Sequence, residues 1–255
     1  MVMIPNDNAA IIEPQRGKRE APLPPLAILI FTSQDLDLFL RCFPHPVRRS
    51  HRIFLIDVYT ATFDSTPVAL VGPMLGAPQA VMVLEKLIAL GVRSFIGVGW
   101  CGSLQETVRI GDVVLPTGAV SEEGTSSHYP ITTVDPGPSA ELFGPLRDAL
   151  RKSLLETHEG KVWTTDAPYR ETLGKVLAYR QQGVLAVDME ASALLTVARY
   201  RSVRLAMALI VSDDLSSLKW IHGFKESRFH QTRKTLAELT LKVICSALEG
   251  AKSEE

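Results

Sequence analysis

Apolar positions along this chain of 255 residues follow two alternating patterns. Short, nearly unbroken apolar runs such as LAILIF (26–31) and LAMALIV (205–211) predict strands buried on both faces. Between such runs, apolar residues return every three or four positions. Val81, Leu84 and Ile88 predict a helix that ends at Gly91, and Leu236, Leu239, Val243 and Ala247 predict a closing helix over 232–248. The same reading puts strands at 26–31, 52–59, 68–71, 94–98, 112–120, around Val162, at 184–187 and at 205–211. Further helices are expected at 34–41, 139–153, 171–180 and 190–201, and GWCGS after Val98 reads as a turn. Strands alternating with helices imply an α/β fold, a mostly parallel sheet covered on both faces. It forms one domain over 26–250, behind a loose arm at 1–25 rich in Pro, Asn and charge.

A hydrophobic content of 46% suits one well-packed domain. With 27 basic and 28 acidic residues and no basic tract, nothing points to a nucleic-acid partner; Arg16, Lys18, Arg19, Arg48 and Arg49 read as surface charge. Three scattered cysteines, 42, 101 and 245, make no disulfide framework and suggest a reducing, cytoplasmic setting. No CxxC or HExxH spacing suggests a metal. LPPLAILIF is too short to cross a bilayer, and the first twenty residues lack the apolar run of a signal peptide, so no membrane is expected.

Ligands of such sheets sit at the carboxyl ends of strands, which singles out the residues after Val98, Val187 and Val211. In VGWCGS, Gly97, Gly99 and Gly102 suit either a structural turn or a backbone that approaches a ligand. Cys101 has no partner base in sight and reads as a small buried residue. In VDMEAS, Asp188 is placed to cap the following helix. Glu190, in the first turn, is placed to accept hydrogen bonds from a diol beside Met189. In LIVSDD, Asp213 fits a helix cap and a catalytic acid equally well. Trp220 and His222 follow closely and read as part of a lid. His128 and Tyr129 stand in a polar loop that either folds over a pocket or is plain surface.

Four pieces in order resemble the nucleoside phosphorylase/nucleosidase superfamily, which includes purine nucleoside and uridine phosphorylases and thioadenosine-type nucleosidases. They are the glycine turn followed by VRIGDVVLP (108–116), EEGTSSHYP (122–130), VWTTDAPYRET (162–172), and VDMEAS with its downstream VSDD. The resemblance, over residues 26–248, implies a single α/β domain with a mixed, partly closed central sheet flanked by helices. It implies a homodimer or homohexamer that cleaves the ribosidic C–N bond of a nucleoside without metal or organic cofactor. Inorganic phosphate or water would be the co-substrate. Carried over by position, Met189 packs on the ribose, Glu190 binds its hydroxyls, and Asp213 protonates a purine-like base at N7. A bulky aromatic expected near 168 is replaced by Pro168, which leaves Tyr169 to stack and Arg170 to read the base. Gly99, Trp100, Cys101, Gly102 and His222 are expected to line the pocket.

The chain departs from this pattern where phosphate would bind. FTSQDLD lacks the Gly and Arg of a GDPxR-like segment. Gly97 and Phe54 occupy two arginine positions, and Trp100 replaces a threonine. Three readings stay open: a phosphorylase whose anion site has moved to Arg109, Arg170, Arg48 or Arg49; a hydrolase; and a nucleoside-binding protein without turnover.

Overall fold

The computed structural model describes residues 10–131 and 136–251. Residues 1–9 of the expected arm, and the side chain of Ala247, lie outside the described residues. The strands are β1 (Leu26–Ile30), β2 (Arg49–Ile53), β3 (Ile56–Phe63), β4 (Thr66–Gly72), β5 (Ser94–Ser103), β6 (Val113–Ser121), β7 (Thr157–Thr164), β8 (Ala186–Asp188), β9 (Arg204–Asp214) and β10 (Ile221–His222). The helices are α1 (Ser33–Arg41), α2 (Ala77–Ala89), α3 (Ala140–Lys152), α4 (Leu173–Gln181), α5 (Ala191–Tyr200) and α6 (Ser227–Ala251).

All ten strands form one mixed sheet in the order β10-β9-β6-β7-β8-β5-β1-β4-β3-β2, and β9 pairs with β5 as well as with β6. That extra pairing closes β5, β8, β7, β6 and β9 into a ring. β1, β4, β3 and β2 continue from it as an open wing. The mixed, partly closed sheet is the architecture the sequence motifs imply. Inside the ring β5 and β9 run parallel while β8 lies antiparallel to β5, so the carboxyl ends of β5 and β9 come together beside the end of β8.

Helices cover both faces. α2 and α5 pack on one face through side chains such as Leu84, Leu87, Leu194 and Leu195. α6 packs with α1 and α3 on the other, through Phe39, Leu146, Leu236 and Leu241. Each such burial stabilises the fold by about 1.5–3 kcal/mol. Residues 10–25 have little regular structure but lie against this body. Leu23 is buried and donates its N–H to the Leu90 carbonyl at 2.9 Å, and Glu20 pairs with Lys86 at 2.6 Å. Among the described residues no helix is long and apolar enough to cross a membrane.

Three local features differ from the sequence expectation. The strand expected at 52–59 is a hairpin, β2–β3, whose turn residues Phe54 and Leu55 have φ of 47° and 74°. With no Gly, Asn or Asp at those positions, the turn carries no sequence signal. GWCGS is no turn: β5 runs on through it to Ser103 because β9 and β8 flank it and supply ladder partners. The ladder slips between Cys101 and Gly102, where Cys101 faces Val211 and Gly102 faces Asp213. Last, α4 starts at Leu173 with Thr172 as its cap, not at 171, and α6 starts at Ser227, not at 232.

Candidate active site

VDMEAS leaves β8 and enters α5, and its two carboxylates have different partners. One oxygen of Asp188 accepts the N–H groups of Glu190 (3.1 Å) and Ala191 (2.7 Å), and the other accepts the Thr164 hydroxyl at 2.6 Å. Asp188 therefore holds the start of α5, as a capping residue does. Burial lifts its pKa to about 6 against the pull of those hydrogen bonds. Glu190 instead lines a cavity. Its Oε1 accepts the Gly76 N–H at 2.6 Å, at the mouth of α2, where Gly76 has a φ of 80° that favours glycine. Burial, reinforced by the negative charge of Asp188, pushes Glu190 up to about 8.

From β9, Asp213 reaches the same cavity. It accepts the Ser212 hydroxyl at 2.6 Å and the Trp220 indole N–H at 3.0 Å. Burial raises its pKa, although both hydrogen bonds oppose the shift. Glu171 lines the cavity too and is raised to about 7, first by burial and then by the charge of Asp213. β5 supplies Trp100, Cys101 and Gly102. Burial, with Asp213 and Asp188 nearby, pushes the Cys101 thiol well above its ordinary value, which leaves it an inert thiol, not a thiolate. The cavity measures about 570 Å³, open on one side, and Met74, Met189, Tyr169 and Trp220 add apolar wall.

Trp100 forms part of the floor and is held from behind. Its indole N–H donates to Asp35 at 2.6 Å, the other Asp35 oxygen accepts Nε of Arg233 at 2.6 Å, and Thr32 donates its hydroxyl to Asp35 at 2.8 Å. The Arg233 guanidinium lies 5.1 Å from the centre of the Trp100 ring and 5.4 Å from that of Phe229. Both partners of the Asp35–Arg233 pair are buried.

The model of the family described as "Phosphorylase superfamily" matches residues 25–249 of the chain. The chain belongs to the nucleoside phosphorylase superfamily. It is 31% identical over 158 residues to a guanosine phosphorylase of Halorubrum lacusprofundi, covering 62% of this chain and 66% of that protein. It is likewise 31% identical over 159 residues to a DeoD-type purine nucleoside phosphorylase of Bacillus cereus, covering 62% of this chain and 68% of that one. The chain thus matches about two thirds of the length of these relatives. Among solved structures, uridine phosphorylase from Vibrio fischeri ES114 superposes with a TM-score of 0.79 at 21% identity, over 88% of this chain and 93% of that one. Purine nucleoside phosphorylase from Toxoplasma gondii in complex with immucillin-H gives a TM-score of 0.79 at 20% identity, over 88% and 91%. At such identities the likeness is one of fold.

Within this superfamily fold, the structure gathers Trp100, Cys101, Gly102, Tyr169, Met189, Glu190 and Asp213 around one cavity. Gly99, Arg170 and His222 are not among its lining residues. Gly99 faces Phe31, whose ring would stand 2.6 Å from a Cβ there. Arg170 is exposed on a short 3₁₀ turn, and the residue that turns inward is its neighbour Glu171. His222 pairs with Asp213 in the β9–β10 ladder, but its ring stacks outside on Phe224 at 5.6 Å. The 122–130 loop folds on itself: Glu123 gathers the N–H groups of Thr125 and Ser126 and the hydroxyls of Ser121, Ser126 and Ser192. Tyr129 reaches Glu85, away from the cavity. Asp166 accepts the Gly124 N–H at 2.9 Å, tying this loop to the 165–172 stretch. Arg48, Arg49, Arg109 and Arg170 all stay out of the cavity wall, and among the described residues no Lys, Arg or His lines it. No group of three His, Cys, Asp or Glu among the described residues could hold a metal ion.

Sequence reading missed Glu171, Asp35 and Arg233. Pro168 followed by Thr172, a helix-capping residue, signals that Glu171 precedes its helix and so belongs to a loop at the site. Thr32 and Asp35 carry a capping spacing as well. Arg233 carries no local signal, since its partner is 198 residues away.

Proposed function

We propose that this chain cleaves the N-glycosidic bond of a nucleoside with a purine-like base, using Asp213 as the acid and Glu190 as the holder of the sugar. The carrying observation is that Glu190 and Asp213, from two different strand ends, face one cavity as carboxyls whose pKa values are both raised. Breaking the C1′–N bond builds positive charge on the sugar and negative charge on the base. A protonated Asp213 gives its proton to the base and so makes it a neutral leaving group. A purine offers N7 for that proton, whereas a pyrimidine spreads its charge onto exocyclic oxygens.

In the free protein burial and the Asp188 charge favour the protonated form of Glu190. Ribose hydroxyls that donate to it favour its ionised form, so sugar binding draws the proton off. The resulting carboxylate gains most when charge develops at C1′, which is differential stabilisation of the transition state. Met189 gives the sugar an apolar surface, and Tyr169 stacks on the base. Glu171, whose pKa burial raises to about 7, faces the base edge and takes the reading role expected of Arg170. The assembly belongs to the proposal as a homodimer or homohexamer, for which exposed Phe54, Leu55 and Leu75 provide apolar surface near the cavity mouth.

The test is release of free base from a panel of purine and pyrimidine nucleosides. Release from purine nucleosides well above that from pyrimidine nucleosides is expected. Release confined to pyrimidine nucleosides would overturn the role given to Asp213.

A further inference from the structure

The cavity is unusual in the charge it presents. Asp188, Glu190, Glu171 and Asp213 contribute to its wall, and among the described residues no cation does. Arg233 is buried and is not among the lining residues. Nε is bound to Asp35, NH1 lies 3.3 Å from Nδ1 of His230, and the guanidinium is packed against the rings of Trp100 and Phe229. Trp100 lines the cavity but has already given its N–H to Asp35, so its indole offers no donor there.

The β5 backbone is extended here, not cupped around a ligand. Residues 97–103 lie in ladder with β9, and Gly102 and Ser103 also with β8, so this stretch forms no nest of free N–H groups. The start of α1 opens toward the cavity at Thr32, whose hydroxyl is committed to Asp35: it accepts the Asp35 N–H and donates to the Asp35 carboxylate. A phosphate dianion placed here meets four acidic side chains and, among the described residues, no cation to balance its charge. A neutral nucleophile meets no such penalty.

We propose that the acceptor in this site is water, and that the Trp100 floor braced by Asp35 and Arg233 excludes phosphate. The proposal rests on the preceding reading that the cavity cleaves a nucleoside. In the reaction the C1′–N bond breaks and its electron pair leaves with the base, which takes the Asp213 proton. The oxygen of water bonds to C1′ and releases one proton to solvent, and solvent reprotonates Asp213. The sum is nucleoside plus water giving free base plus free pentose.

The experiment uses the full chain stripped of phosphate, with a purine nucleoside in ¹⁸O-labelled water, with and without millimolar inorganic phosphate. Free pentose carrying the label at C1, formed at a rate that phosphate leaves unchanged, is the expected result. Pentose 1-phosphate as product, or a rate that climbs and saturates with phosphate, would overturn the proposal. If no nucleoside is cleaved, the underlying functional reading fails, and phosphate exclusion is then decided by binding. Tryptophan emission of wild type and W100F is followed as inorganic phosphate is added. The absence of any saturable change that depends on Trp100 supports exclusion, and a saturable change in wild type that W100F lacks overturns it.

Discussion

The roles proposed for Glu190 and Asp213 turn on protons, so pH is where they become measurable. Burial and the neighbouring Asp188 carboxylate raise the pKa of Glu190, and hydroxyl donors pull it down. Binding of a nucleoside at pH 7 is therefore expected to release a proton, and its calorimetric enthalpy should change with the ionisation enthalpy of the buffer. A heat that is the same in every buffer would count against Glu190 as the sugar-binding group. In the proposed role Asp213 acts when protonated, so activity should fall as pH rises through its raised pKa. The Trp220 hydrogen bond stabilises the ionised form and pulls that pKa down, in opposition to burial. W220F removes it, and the alkaline limb of kcat/KM is expected to move to higher pH, with an unmoved or lowered limb as the contrary result. At this scale the sequence was informative where a residue type is rare in its setting. Carboxylates in apolar surroundings at strand ends single out VDMEAS and VSDD in the sequence. Glu171 escaped because its inward turn depends on a 3₁₀ segment, which left Arg170 looking like the polar contact.

At the level of elements, β5 sets the site. A glycine-rich stretch that reads as a turn is instead a strand, because neighbours on either side complete its backbone hydrogen bonds. Whether glycines mark a turn or a close-packed strand depends on those neighbours, which lie about a hundred residues along the chain. The β2–β3 hairpin was hidden for a related reason: its turn uses Phe54 and Leu55, residues that ordinarily continue a strand. Element order, the helix faces and the strand ends were legible because periodicity and apolar runs are local. The brace behind Trp100 was not, since it joins the first and last helices, α1 and α6. That brace makes a stability prediction. Replacing only Arg233 leaves Asp35 as an unpaired buried charge, so R233M should cost about 3–5 kcal/mol. D35L/R233M removes both charges and should be less destabilised than R233M, read from denaturant midpoints. A double variant weaker than R233M would show that the brace stabilises through more than mutual charge compensation.

Across the whole molecule, closure of the sheet explains why three separated motifs act together. The β9–β5 pairing brings Asp213 beside Gly102, and β8 brings Glu190 to the same opening, while α2 supplies the Gly76 N–H that holds it. None of these positions is adjacent in sequence, and the resemblance of the four motifs in order carried the assignment of architecture that periodicity alone left as a mostly parallel sheet. In the proposed reaction this converged cavity breaks a C1′–N bond through the acid Asp213. It is tested most directly by measuring free-base release from one purine nucleoside by wild type and D213N under identical conditions. An amide at this position retains the shape but cannot supply the proton, so the account predicts a kcat lower by about 10²–10⁴-fold with KM nearly unchanged. Equal kcat for the two folded proteins would contradict it.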